Sequence, residues 1–137
     1  MNSFNHKNYF AAGLLMTFNG LVLLGRRSRV AANLAGYWSM PCGMIEPNED
    51  PKTASIREFE EETGIDITGE VSFLDEYLTE GDKYFIVFQT EVDDFLFPSA
   101  SAKDAIEHDE WGYFKIAEQC LPQPMTNATE NSILKLK

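Results

Sequence analysis

GMIEPNEDPKTASIREFEEETGI, residues 43–65, holds one helix with two unlike faces. Asp50 offers a capping oxygen, Pro51 suits the first turn, and Gly64 suits the position just past the last turn, so the spacing predicts a helix over 51–63. With Ala54 at zero and about 100° per residue, Ile56, Phe59 and Thr63 fall near 200°, 140° and 180°. On the same count Arg57, Glu58, Glu61 and Glu62 fall at about 300°, 40°, 340° and 80°, on the opposite side. Like charges three and four residues apart repel, by a few tenths of a kcal/mol per pair. A face chosen for stability alone would alternate signs. Two readings stay open on geometry: a solvated charged face, or carboxylates gathered to hold a divalent cation, since Mg²⁺ takes a few carboxylates together with water and phosphate oxygens.

Outward from the helix, the chain reads as strands. Asn19-Gly20 between two apolar runs is a hairpin turn whose central residues both need positive φ, giving strands near Phe10–Phe18 and Leu21–Gly25. A short extended piece is expected at Trp38–Met40. A second hairpin should run Val71–Leu78, turn at Glu80-Gly81-Asp82 and return along Tyr84–Val92. Residues 95–110 read as loop, Trp111–Phe114 as a last strand and 126–137 as a terminal helix. One helix between two groups of strands, then a final helix, implies a mixed α/β architecture layered on one sheet, in a single domain of 137 residues.

The chain has 22 acidic and 11 basic side chains, a net charge of −11 and a pI near 4.5. That balance excludes an unaided nucleic-acid or anionic-membrane surface. It admits a phosphorylated small molecule if a cation bridges the two. Cys42 and Cys120 stand in no metal or disulfide pattern. The apolar run 9–25 is broken by Thr17, Asn19 and Gly20, whereas a spanning helix needs about 20 apolar residues. A cytoplasmic protein is the expectation.

The longer pattern, Gly43, Glu49, then Arg57-Glu58-Phe59-Glu60-Glu61-Glu62-Thr63-Gly64-Ile65, resembles the Nudix box of the MutT-like Nudix hydrolases at its defining positions. Tyr37-Trp38-Ser39-Met40-Pro41-Cys42-Gly43 resembles the lead-in to that box, with Cys42 where the family usually has a glycine. The resemblance implies an α/β/α sandwich with a mixed sheet and a loop–helix–loop motif. It implies a hydrolase that cleaves nucleoside diphosphates linked to another moiety, with Mg²⁺ or Mn²⁺ between carboxylates and diphosphate. Carried over residue by residue, Glu61 and Glu62 would be metal ligands, and Glu58 a further ligand or the base. The backbone carbonyl of Cys42 would be another ligand. Glu49 would support the site, and Arg57 would orient a catalytic glutamate.

The family often adds one acid from a later loop. Glu107, Asp109 and Glu110 are candidates, and Glu110, directly before Trp111, is the expected one. His108 among them is read as an exposed loop residue, with base or ligand as the competing role. Arg26, Arg27 and Arg29 form a cluster of guanidiniums, the residue type that grips phosphate with a planar fork. A solubilising loop, or salt bridges to the acidic surface, is the competing reading of the cluster, and Arg27 is the single member expected to contact substrate. Trp38 and Tyr37 are candidates for stacking on a base, against core packing, the commoner role of aromatics at strand ends. Asn127 and Asn131 follow the Leu121-Pro122 segment, where some relatives use an asparagine to read a purine. Substrate candidates are nucleoside triphosphates, ADP-ribose, nucleotide sugars and dinucleoside polyphosphates, and the chain would act as a monomer or homodimer. The competing function is a binding or sensor module without chemistry. Such a module would be free to lose box carboxylates, yet Glu49, Glu58, Glu61 and Glu62 are all present.

Overall fold

The computed structural model describes residues 8–31 and 33–136. Asn19 and Gly20 take φ of 53° and 80°, as a tight hairpin turn demands, and join β1 (Tyr9–Phe18) to β2 (Leu21–Arg27) with Phe18 opposite Leu21. β2 then parts from β1. Only Thr17 and Phe18 pair with it, and the rest of that β1 edge belongs to β4 (Cys42–Met44), with Gly13 opposite Cys42. β3 (Trp38–Ser39) pairs with β2 at Gly25 and Arg26. Box residues therefore enter the middle of the sheet through a gap between its first two strands.

β1 runs parallel to β6 (Tyr84–Val92), which pairs antiparallel with β5 (Ser72–Leu78). β7 (His108–Lys115) lies antiparallel on the other edge of β2. The result is a mixed seven-stranded sheet. Its central strands alternate between two cores. Ala12, Leu14, Met16, Leu23, Ile86 and Phe88 face α1 (Pro51–Thr63), which contributes Ala54 and Phe59. Leu15, Val22, Leu24 and Val87 face the other side, where α2 (Asn127–Ile133) contributes Ile133. This is the expected α/β/α sandwich.

Phe59 is fully buried, and burying such a side chain contributes roughly 1.5–3 kcal/mol. That anchor sets the rotation of α1. Glu62 lies about 60° round the helix from Phe59 and is carried inside with it, while Glu58 and Glu61 reach the rim.

Element boundaries differ from expectation at several places: β2 runs on to Arg27 rather than ending at Gly25. β4 is an additional short strand, formed because Cys42 to Met44 fill the β1 edge that β2 vacates. β7 begins at His108 rather than Trp111, and α2 ends at Ile133. Among the described residues no helix is long and apolar enough to cross a membrane.

Candidate active site

The loop before α1 sets Glu49 in place. Glu46 N–H donates to Glu49 Oε1 at 3.0 Å, and the Asp50 carboxylate caps α1 by accepting from Lys52 and Thr53 N–H. Glu49 then receives Arg57 in a two-pronged contact, from Nε at 2.7 Å and Nη2 at 2.9 Å. Arg57 Nη1 donates to Glu58 at 2.9 Å and Glu61 at 3.2 Å, and Nη2 donates to the Met44 carbonyl at 3.0 Å. One planar guanidinium thus ties three carboxylates and the box loop together, which explains how the like charges on α1 coexist. The hydrogen bonds from Arg57 hold the Glu49 carboxyl below its usual range, and those to Glu49 and Glu58 raise Arg57.

Glu62 has a different environment. Its side chain is about 2% exposed, and among the described residues Oε2 receives no hydrogen bond. Burial, then repulsion from Glu107 and Glu58, pushes its carboxyl well above the ordinary range. Burial also raises Glu58, outweighing the help of Arg57. Glu107 is raised by burial and then by Asp104 and Glu58. Three carboxylates that each resist ionising, first because of burial and then because of neighbouring acids, make a locus that a hard cation would relieve.

Gly43 makes this crowding possible. A Cβ there would sit 2.2 Å from the Glu58 carboxyl, so only a residue without a side chain admits Glu58. Cys42 lines the same cleft, and burial followed by repulsion from Glu62 pushes its thiol up to about 12. The cleft has a volume of about 670 Å³. Arg27, Glu58 and Glu107 stand on its polar side, and Phe10, Met44 and Phe85 form an apolar wall. Asn127 also borders it. The 95–107 loop closes over the end of α1, with Ser99 N–H donating to the Thr63 carbonyl and Asp104 N–H to the Glu61 carbonyl, both at 2.7 Å. Those bonds satisfy helix-end acceptors and deliver Glu107 to the cleft.

The structure brings together Glu49, Arg57, Glu58, Glu61 and Glu62, and places Cys42 and Arg27 beside them. Arg27 is steadied by Asn33, through Nε to its carbonyl at 2.7 Å and Nη2 to Oδ1 at 3.0 Å. Glu110 is not brought to the cluster. It is exposed and pairs with Arg26 at 3.3 Å, as Asp109 does at 2.8 Å. Glu107 is the loop acid that reaches the cleft. Trp38 is 8% exposed, meets Phe114 edge-on at 5.2 Å and packs in the second core, so it has no face to offer a base. His108 is buried, not exposed, and burial with the nearby Arg27 charge lowers its imidazole to about 4.

A bulge accounts for these shifts. Arg26 is opposite Glu110 but Arg27 is opposite His108, so Asp109 is an extra residue in β7. Strict alternation would put His108 on the face with Glu110; the bulge turns it to the Trp111 side. The only sequence signal for that turn was the unbroken polar run before Trp111.

The donor set suits a divalent cation. It is all carboxylate oxygen, and one buried oxygen, Glu62 Oε2, lacks a donor. Among the described residues no three acidic, histidine or cysteine groups form a finished cage. Glu58 and Glu61 each turn one oxygen onto Arg57 Nη1 and keep a second, which in Glu61 meets the exposed Lys103 ammonium at 3.4 Å.

Relatives share parts of this chain. An 8-oxo-dGTP diphosphatase from Proteus vulgaris is 37% identical over 62 residues, 45% of this chain and 54% of its own length. An RNA pyrophosphohydrolase from Roseobacter denitrificans is 44% identical over 52 residues, 38% of this chain and 31% of its own. The chain spans about half or less of these curated relatives. The crystal structure of a MutT NUDIX hydrolase from Burkholderia pseudomallei has the same fold, with a TM-score of 0.74 at 24% identity, covering 96% of this chain and 99% of that one. The model of the NUDIX domain matches residues 7–136, so with its carboxylate helix set in an α/β/α sandwich the chain belongs to the NUDIX-domain family.

Proposed function

We propose that this chain is a divalent-cation-dependent hydrolase that cleaves a phosphoanhydride bond of a nucleoside triphosphate in the cytoplasm. The observation that carries the reading is the buried Glu62 carboxylate, with one oxygen lacking a donor, beside Glu58 and Glu107. A site kept only to bind nucleotide would gain by losing that charge. Glu58, Glu61, Glu62, Glu107 and the Cys42 carbonyl would hold Mg²⁺ or Mn²⁺. When bound, the cation neutralises non-bridging phosphate oxygens and acidifies water. Arg57 holds Glu58 and Glu61 in register, Glu49 anchors Arg57, and Arg27 meets phosphate at the cleft edge. The apolar wall of Phe10, Met44 and Phe85 would take the base. A free nucleotide suits the −11 charge of the chain better than an RNA body does.

The test is turnover with Mg²⁺ across nucleoside triphosphates (oxidised purines included), ADP-ribose, nucleotide sugars, dinucleoside polyphosphates and 5′-triphosphorylated RNA. Hydrolysis of triphosphates to monophosphate and pyrophosphate is the expected result. Tight binding without turnover of any of them would favour the sensor module.

Two substitutions separate the site from its surroundings. Glu107→Gln should lower kcat by roughly 10²-fold, as loss of one charge-stabilising group does, whereas Glu110→Gln should change it less than about 3-fold. Equal losses would show that the loop acid is misassigned. Gly43→Ala should lower kcat by about 10²-fold with little change in thermal midpoint, because the methyl group displaces Glu58 rather than the backbone.

A further inference from the structure

His108 has no place in that assignment, yet its ring stands beside Glu62, the one acid that is buried among the described residues. The His108 side chain is 1% exposed, and Nδ1 lies 3.6 Å from Glu62 Oε1. Among the described residues neither ring nitrogen has a hydrogen-bond partner. The ring packs against Trp111, with centroids 4.6 Å apart, and over Gly25, where a Cβ would fall 2.6 Å from His108 Cδ2. Phenylalanine or leucine would fill this space without burying unpartnered nitrogens, so packing alone leaves the imidazole unexplained. The bulge at Asp109 is also unexplained by packing, and its effect is to turn this one side chain toward α1.

We propose that His108 is a positioning residue for Glu62: its Nδ1–H donates to Oε1, fixing the carboxylate so that Oε2, which has no protein donor, is left for the cation. An ordinary N–H···O bond is about 2.9 Å, so a shift of about 0.7 Å in a carboxylate at the end of a flexible side chain completes the contact. A histidine holding a ligating carboxylate in this way acts on metal affinity through orientation, and loss of such a contact typically weakens affinity by about 10- to 100-fold. The inference rests on the metal-site reading above.

The experiment is Mn²⁺ binding, followed by the electron paramagnetic resonance of the free ion, for the unsubstituted protein, His108→Leu and His108→Asn. Leucine fills the space without a donor; the asparagine amide nitrogen stands near the place of Nδ1. The leucine variant should bind Mn²⁺ about 10- to 100-fold more weakly, and asparagine should restore affinity to within about 3-fold. Equal affinities in the two variants would overturn the proposal while leaving the metal site standing. No Mn²⁺ binding by the unsubstituted protein would overturn both. Long-range ¹H–¹⁵N spectra of the metal-free protein, labelled at its two histidines, test the contact without relying on a variant that folds. The Nδ1–H tautomer at His108 is expected, and the Nε2–H tautomer would refute the contact.

Discussion

Glu62→Gln is expected to cut turnover by about 10³-fold while raising the thermal midpoint of the metal-free protein, two effects of opposite sign from one atom change. The catalytic loss follows from removing a charge whose contribution to transition-state neutralisation is several kcal/mol, each 1.36 kcal/mol being about tenfold in rate. The gain in stability follows from burial. Glu62 is almost fully enclosed, repelled by Glu107 and Glu58, and one of its oxygens has no donor. A neutral amide of the same shape removes the repulsion and the larger part of the desolvation cost. Relief of about 1–2 kcal/mol is reasonable for such a group, or about 3–8 °C in a domain of this size. Calorimetry in EDTA measures the first effect. Addition of Mg²⁺ should then stabilise the unsubstituted protein, by about 2.7 kcal/mol at a hundred times its Kd, and leave Glu62→Gln unmoved. A metal-free midpoint that falls in the variant would mean that Glu62 is held by the fold rather than strained by it.

The helix, its caps and the gathering of Arg57, Glu58, Glu61 and Glu62 on one face are legible because each rests on local rules: a cap, a turn residue, a period of 3.6; Glu49, ahead of the helix, enters only through the family resemblance. Both hairpin turns were legible for the same reason, since Asn19, Gly20, Gly81 and Asp82 do adopt positive φ. Legibility ended where a residue's surroundings come from distant parts of the chain. Glu110 was preferred over Glu107 because adjacency to Trp111 was the one anchor available, and a bulge opposite Arg26 and Arg27 is invisible to a period of two. Trp38, a strand-end aromatic and so more often core, keeps a reading as a platform until Phe114 is seen against it. His108 reads as solvent-exposed from its polar neighbours, but the bulge turns its ring to the Trp111 side, where it is buried, while Asp109 and Glu110 stay exposed.

Arg57 should prove irreplaceable even by lysine. Its guanidinium makes five hydrogen bonds, to Glu49 twice, to Glu58, to Glu61 and to the Met44 carbonyl. An ammonium is a point charge that satisfies one or two of them. We expect Arg57→Lys and Arg57→Ala each to lower kcat by roughly 10²-fold or more, because Glu58 and Glu61 lose the donor that sets their geometry. Arg57→Ala should also cost about 2–4 kcal/mol of stability, since it strands carboxylates that are only partly reached by water. The two losses have different origins, and a double-mutant cycle separates them. Most of the stability cost belongs to Glu49, which is gripped twice and is the least exposed of the three. Adding Glu49→Gln to Arg57→Ala should therefore cost much less than the sum of the single changes, a coupling of about 1–3 kcal/mol by chemical denaturation. Turnover should not recover in the double variant, because Glu58 and Glu61 remain unguided. If activity returned along with stability, Arg57 would be a structural clamp on the Glu49 loop and nothing more.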